Sequence, residues 1–367
     1  MSAIRLIIAG GGTGGHIFPA VAVANAIKEL QPNAEILFVG ANGKMEMEKV
    51  PQAGYPIKGL DIAGFNRSHW WKNISLPVKL LKSFLQVRSI FNEFQPQAAF
   101  GVGGYSSFPV LRLAQAKGIP TFLHESNAFA GKSNMMLGRK ATRVFVAAEG
   151  MEKFFDAAKI EISGNPVRKE IATISMSREA AIQSFGLDAS KPVLLVVGGS
   201  LGARSVNNAV KAGLDKMQQA GLQLIWQTGK PFAEEAKTAV AGRTGTWQND
   251  FITNMAAAYA AADIVVSRSG AMSVTELCMA GKPVVFVPFP FAAEDHQTAN
   301  AMALVKEGAA VLVKDEDAAS NLVDTVLALA ADNDKRIAMS GKIKKMARYD
   351  ADKLIAKRIL DSIHADA

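Results

Sequence analysis

"IIAGGGTGGHIFPA", Ile7–Ala20, runs a short β-branched strand into glycines at 10, 11, 12, 14 and 15 and stops at a histidine and a proline. A strand that breaks into a glycine turn and then a helix is the opening unit of a doubly wound α/β domain. The helix is expected to begin near Ile17–Pro19, because proline suits a first turn. Bare backbone there lets a phosphate or sugar approach closer than any Cβ allows, with helix N–H groups pointing at it. A tight crossover without a ligand would use the same glycines. Two further loops tip the balance toward a ligand: "GVGGYSSFP", Gly101–Pro109, and "GGSLGAR", Gly198–Arg204, also follow strands. The carboxyl ends of parallel strands share one edge, so all three loops are expected along one cleft.

Working outward, ten apolar runs punctuate helical periodicity: "IRLIIAG", "EILFVG", "AAFGVGG", "PTFLHE", "RVFVAA", "PVLLVVGG", "LQLIWQTG", "DIVVSRSG", "PVVFVPF" and "AAVLV". Continuous apolar strands are those of a parallel sheet covered on both faces. The series restarts after "ISGNPVRKE", Ile162–Glu170, where Gly-Asn-Pro breaks the chain. The fold class expected is α/β, with two Rossmann-like doubly wound domains facing a cleft. Their bounds are 1–164 for an acceptor- and membrane-facing domain and 165–345 for a nucleotide-sugar domain, with 346–367 as a helix packing over the junction.

A chain of 367 residues, 49% apolar and 20% charged, is globular and large enough for two cores. Met1–Ala9 is only a strand's length of apolar sequence, not a signal peptide. No run approaches the roughly 18 apolar residues of a spanning helix. The single cysteine, Cys278, excludes an internal disulfide and reads as a small buried hydrophobe, which suits the cytosol. A net charge of +8 favours an anionic partner. Nucleic acid is not expected, since no binding module or aromatic-studded basic face occurs. Gly10, Gly12 and Gly15 satisfy G-x-G-x-x-G, but "EILFVGANG" lacks the acidic residue a dinucleotide site requires, and no Walker lysine occurs. No cofactor is therefore expected. Nor is a metal: the D-x-D patterns "DED", "DND" and "DAD" at 315–317, 332–334 and 350–352 lie in polar late segments and read as solvated caps.

The richest stretch is "ADIVVSRSGAMSVTELCMAGKPVVFVPFPFAAEDHQTANA", Ala262–Ala301. A strand ending at Ser267 and a helix opened by Ser269-Gly270 offer a diphosphate seat. Glu276, on that helix's second turn, can accept from a ribose diol, although a lone helix glutamate is ordinarily solvated. Asp295, Gln297 and Asn300 follow in a loop whose amides suit sugar hydroxyls and an N-acetyl group.

"GGTGGHIFPA", "GVGGYSSFP", "HESNAFAGKSN", "GGSLGARSVN", "NDFITNMAAAYAAADIVVSRSGAMSVTEL" and "DHQTANA" stand in an order and spacing that resembles the MurG family of GT-B glycosyltransferases, from about Ile4 to Gly308. Members transfer N-acetylglucosamine from UDP-GlcNAc to undecaprenyl-diphospho-N-acetylmuramoyl-pentapeptide in peptidoglycan synthesis. The resemblance implies that Ile252 pairs its backbone with uracil, that Ser200 with Ala271 and Met272 holds the diphosphate, and that Arg168 closes over the nucleotide. It implies Glu276 for the ribose, and Gln297, Asn127, Thr13, Gly14 and Gly15 for the transferred sugar. Related GT-B enzymes acting on diacylglycerol, and UDP-GlcNAc 2-epimerases, would carry similar loops.

Inversion at the anomeric carbon calls for a base to take the proton of the acceptor's C4 hydroxyl. His16, at the lip of the first loop, is the candidate, with Glu125 at the end of "TFLHE" as the alternative; His124 reads as structural. The acceptor is lipid-borne, and "FNRSHWWKNISLPVKLLKSFLQVRSIFNEF", Phe65–Phe94, sets Trp70 and Trp71 beside Arg67 and Lys72, ahead of apolar residues at helical spacing as far as Phe91. That pattern predicts peripheral attachment to an anionic membrane, on its cytoplasmic face.

Overall fold

Each of the ten apolar runs is a strand in the computed structural model, which describes residues 4–63, 76–199, 201–292 and 295–365. The strands, thirteen in all among the described residues, form two sheets. The first contains β1 (Arg5–Ala9), β2 (Glu35–Ala41), β3 (Ile57–Leu60), β4 (Ala98–Gly101), β5 (Thr121–Glu125), β6 (Arg143–Val146) and β7 (Ile160–Ile162) in the order β3-β2-β1-β4-β5-β6-β7. The second contains β8 (Val193–Val197), β9 (Gln223–Gln227), β10 (Thr246–Asn249), β11 (Ile264–Ser267), β12 (Val284–Phe286) and β13 (Val311–Leu312) in the order β10-β9-β8-β11-β12-β13. Every pairing is parallel. Each order reverses at its first strand, where neighbouring crossovers diverge and leave room for a ligand.

The chain divides into two compact units, Met1–Arg168 with Arg348–Ala367, and Lys169–Ala347. The segment 346–367, set apart in sequence, is thus split, and nearly all of it lies in the first unit. There the helix Ala351–Ala365 buries Ile355, Ala356, Ile359 and Ile363 in one core with Val23 and Ile27 of the helix Gly14–Leu30 and Leu6 and Ile8 of β1. Ile7, Val39, Leu123 and Val144 point to the sheet's other face, under Val87, Ile90 and Leu111. This two-faced burial explains the unbroken apolar runs, and each fully buried Ile or Leu is worth roughly 1.5–3 kcal/mol. Leu194, Val196, Ile264 and Val266 play the same part in the second unit. Cys278 is buried, and burial pushes its thiol up to about 12, which keeps it inert.

One boundary differs from expectation. The first helix begins at Gly14, not near Ile17–Pro19, with Thr13 as an extended cap, so Pro19 falls inside it. The positive-φ glycines end at Gly12, the helix starts two residues later, and the proline is taken up in the second turn.

Candidate functional site

In the first unit β1, β4 and β5 are neighbours, so the loops leaving them crowd together. A methyl group on Gly11 would fall 2.2 Å from Glu46 Cδ, and one on Gly104 would fall 2.6 Å from the Gly11 carbonyl. These glycines are required by the protein's own packing. Gly12, at φ +89° with nothing within 4 Å of the same position, faces open space. The loop is tied down by Glu46, a buried carboxylate at the start of the helix Glu46–Gln52: Oε2 accepts from the Gly12 amide at 2.8 Å and Oε1 from Ala41 at 3.0 Å. Nothing in "NGKMEME" signals this role, because the bareness of Gly11 and Gly40 that admits the side chain is visible only in the fold.

His16 lies half-buried in the first turn of its helix, with Nδ1 3.1 Å from the Gly11 carbonyl. A carbonyl cannot donate, so Nδ1 carries the proton and Nε2 keeps the basic lone pair. Nε2 faces Gly103, where a Cβ would come within 2.9 Å. Burial lowers the imidazole pKa, against the opposing pull of the Gly11 bond, Glu125 and Glu46. The ring is therefore neutral at neutral pH.

Glu125 ends β5 as a fully engaged carboxylate. Oε1 accepts from the Asn127 amide at 3.1 Å and Nδ2 at 3.3 Å, and Oε2 from the Gly131 amide at 3.0 Å and Asn134 Nδ2 at 2.9 Å. Four donors occupy its acceptor capacity, so Glu125 shapes the loop that carries Asn127. His124 is buried and donates from Nε2 to the Gly164 carbonyl at 3.1 Å, and burial pushes its pKa down to about 4. Thr13, Gly14 and Gly15 flank His16. Arg168, at the end of the unit's first segment, stacks its guanidinium 4.5 Å above the Phe18 ring on the same helix.

In the second unit the loop after β8 is held without charge. A methyl group on Gly202, at φ +74°, would fall 2.2 Å from the Thr228 carbonyl. Gln227, at the end of β9, donates from Nε2 to the Gly199 carbonyl and accepts at Oε1 from the Ile252 amide, both at 3.0 Å. One amide side chain thus links the glycine loop to the segment expected to meet uracil, and the Ile252 N–H is engaged by it. Ser200 lies outside the described residues.

The helix Ala271–Ala280 follows β11 with Gly270 as its cap, and Ala271 to Glu276 all stay half-buried although the later residues Leu277 to Met279 are buried. Glu276 accepts at Oε2 from the Tyr259 hydroxyl at 3.1 Å. Gln297, in the first turn of the helix His296–Lys306, accepts at Oε1 from the Phe289 amide at 3.0 Å, and its carbonyl accepts from Ser269 at 2.8 Å. Asn300 donates to the Ser269 carbonyl at 3.1 Å, so Ala271, Met272, Glu276, Gln297 and Asn300 converge around one helix start. Behind it Arg268 pairs with Asp315 at 2.5 Å and donates to the carbonyls of Val287 and Pro288. Asp315 is therefore a buttress of this loop and not the solvated cap expected from "DED". Among the described residues no three His, Cys, Asp or Glu side chains gather as a metal-binding set.

Models of the glycosyltransferase family 28 N-terminal and C-terminal domains match residues 6–146 and 193–355. The UDP-N-acetylglucosamine–N-acetylmuramyl-(pentapeptide) pyrophosphoryl-undecaprenol N-acetylglucosamine transferase of Phocaeicola vulgatus is 52% identical over 360 residues, 97% of this chain and 96% of that protein. Its namesake from Bacteroides thetaiotaomicron is 50% identical over 367 residues, 99% of each chain. The crystal structure of Acinetobacter baumannii MurG aligns with a TM-score of 0.75 at 28% identity, covering 98% of this chain and all of that one. A UDP-GlcNAc 2-epimerase from Neisseria meningitidis, solved with UDP-GlcNAc bound, shares the fold alone, at a TM-score of 0.67 and 14% identity over 98% of this chain and 100% of that one.

Proposed function

We propose that this chain, which belongs to glycosyltransferase family 28, transfers N-acetylglucosamine from UDP-N-acetylglucosamine to the C4 hydroxyl of undecaprenyl-diphospho-N-acetylmuramoyl-pentapeptide, with inversion. The observation that carries the reading is the 50–52% identity, over nearly the full length of both partners, to proteins named for that transfer. The acceptor oxygen forms a bond to the anomeric carbon, the bond from that carbon to the diphosphate breaks, its electrons leave with UDP, and the hydroxyl proton goes to His16 Nε2. The Gly11 bond fixes the tautomer this step needs, and the lowered pKa keeps the base unprotonated. The four donors on Glu125 favour His16 over it as the base.

In the second unit the Ala271 helix start, with its unpaired N–H groups, opposes the charge developing on the leaving diphosphate, helped by Ser200. Glu276 takes the ribose hydroxyls, Ile252 the uracil edge and Gln297 the sugar. Thr13, Gly14, Gly15 and Asn127 of the first unit contact the sugar, and Arg168 the nucleotide. For Ile252 the carbonyl is the readier partner, since its amide is held by Gln227.

The lipid acceptor calls for a membrane contact, and the helix Leu76–Phe94 supports one. Ser83, Val87, Ile90 and Phe91 face the core, while Val78, Leu81 and Leu85 stand 70%, 65% and 61% exposed among Lys79, Lys82 and Arg88. An apolar stripe rimmed by cations suits an anionic lipid surface on the cytoplasmic side. Trp70 and Trp71 lie outside the described residues. Among those described, no helix is long and apolar enough to cross a membrane.

The decisive assay offers purified protein UDP-N-acetylglucosamine with either the muramoyl-pentapeptide lipid or diacylglycerol. A β-linked disaccharide lipid is expected from the first alone. Turnover on diacylglycerol only, or free epimerised sugar without any acceptor, overturns the reading.

A further inference from the structure

We propose that Tyr259 is a positioning residue that sharpens the preference of the nucleotide site for ribose over 2′-deoxyribose. The inference rests on the reading of Glu276 as the ribose-binding carboxylate. The helix Met255–Ala261 leads into β11 and the helix Ala271–Ala280 leaves it, so Tyr259 and Glu276 stand on the two helices that flank one strand. Tyr259 is only 3% exposed, and its hydroxyl donates to Glu276 Oε2 at 3.1 Å. Its helix is firmly seated: Asn254 caps it by accepting from the Ala257 amide at 3.0 Å, and Ala257, Ala258, Ala260 and Ala261 are all buried. The fold, not the ligand, therefore sets where the phenol sits.

A glutamate in the half-exposed stretch of a helix samples several rotamers, and selecting one on binding costs affinity. The phenol selects it beforehand. An ionised carboxylate has about four lone-pair directions, and the phenol takes one of them and so restricts how the group can turn. A diol then meets an acceptor already turned toward it. A sugar lacking the 2′ hydroxyl gains less from that alignment, so the tyrosine acts on discrimination as well as on affinity.

The test is Tyr259→Phe, which keeps the buried ring and removes only the donor, assayed with UDP-N-acetylglucosamine and its 2′-deoxyuridine counterpart. KM for the ribonucleotide should rise about ten-fold, the scale of one hydrogen bond to a charged group. The turnover number should stay within about two-fold, and the ribo-over-deoxy preference should shrink by a similar factor of about ten. A thermal melt checks that the variant is folded. An equal rise in KM for both nucleotides would mean a merely structural role and overturns the proposal. So does a Tyr259→Phe enzyme with unchanged KM and preference while Glu276→Gln loses both, an outcome that leaves the Glu276 reading standing. If Glu276→Gln itself keeps the full preference, the underlying reading fails, whatever Tyr259 does.

Discussion

The two sheets present the same kind of edge, a glycine loop after the first strand of each, yet they secure it with opposite chemistry. In the first unit the groups that tie the loops are ionisable: Glu46 beneath Gly12, Glu125 beneath Asn127, and His16 against Gly11. In the second the ties are neutral amides and hydroxyls. Gln227 joins Gly199 to Ile252, Asn207 donates to the Thr228 carbonyl at 2.7 Å, and Ser269 holds Gln297. The ion pair of Arg268 with Asp315 stands behind the loop. The contrast separates two tasks. Moving a proton needs a group poised between two states, whereas holding a nucleotide needs donors and acceptors that do not change with pH. The ties named in the first edge include ionisable side chains, and the strap of the second edge is made of neutral ones.

His16→Ala should break the contrast most severely, with turnover down by about 10²–10⁴-fold, the usual contribution of a general base. Affinity for UDP-N-acetylglucosamine, measured by calorimetry without acceptor, should change little, because the role proposed for His16 is toward the acceptor hydroxyl and not toward the nucleotide. Near-normal turnover would remove the base assignment. The pH profile sharpens the point: kcat/KM should be level around neutrality and fall only below about pH 6.5, since burial holds the His16 pKa under its ordinary value.

Stability should carry a matching signature. His124 titrates near 4 when folded and near 6.5 when unfolded, so between those values the unfolded chain binds the extra proton. The stabilisation is fully present above about pH 6.5 and drains away toward pH 4, on the order of 3 kcal/mol in all. Denaturant melts across this window should show the loss, and His124→Asn should flatten the slope whatever its absolute stability. A slope unchanged in the variant would place the acid sensitivity elsewhere. Glu46→Gln should cost less, about 1–3 kcal/mol, because the amide can accept from only one of the Gly12 and Ala41 donors at a time. A urea midpoint within error of the parent would mean that the carboxylate is not what pins the loop.

These ties were the part of the molecule least legible in the sequence. All ten continuous apolar runs are strands, and the three strands that no run announced, "IKGL", "IEI" and "TWQN", are edge strands of their sheets. An edge strand is half covered and needs no unbroken apolar signal. The glycine loops were legible as loops, but not which glycines pack against the protein and which face outward: Gly11 makes room for Glu46, and Gly12 is open. Glu46, Gln227 and Tyr259 carry no local signature, since each acts on a partner 17 to 34 residues away through the crossovers of its sheet. The exposed stripe of Val78, Leu81 and Leu85 was hidden for another reason: helical spacing gives the period of a face, and this helix has two apolar faces, only one of which the core covers.

The smallest effect tests the comparison most directly, by moving an ionisable group into the neutral strap. In Gln227→Glu a protonated carboxyl can still donate to the Gly199 carbonyl and accept from the Ile252 amide, so the strap survives in acid. Once ionised it keeps the acceptor, loses the donor and sets a negative oxygen against a carbonyl. Position 227 is buried, which raises a carboxyl above its ordinary range, so affinity for UDP, taken at each pH as a ratio to the parent protein so that the titration of the nucleotide cancels, should be near unity at pH 5. By pH 8 it should fall about five-fold, roughly 1 kcal/mol, the net worth of one neutral hydrogen bond. The parent strap itself adds no pH dependence, because its side chain, Gln227, is not ionisable. A ratio that stays flat from pH 5 to pH 8 would mean that the Gln227 strap does not transmit to the nucleotide, and the two edges would then differ in composition without differing in function.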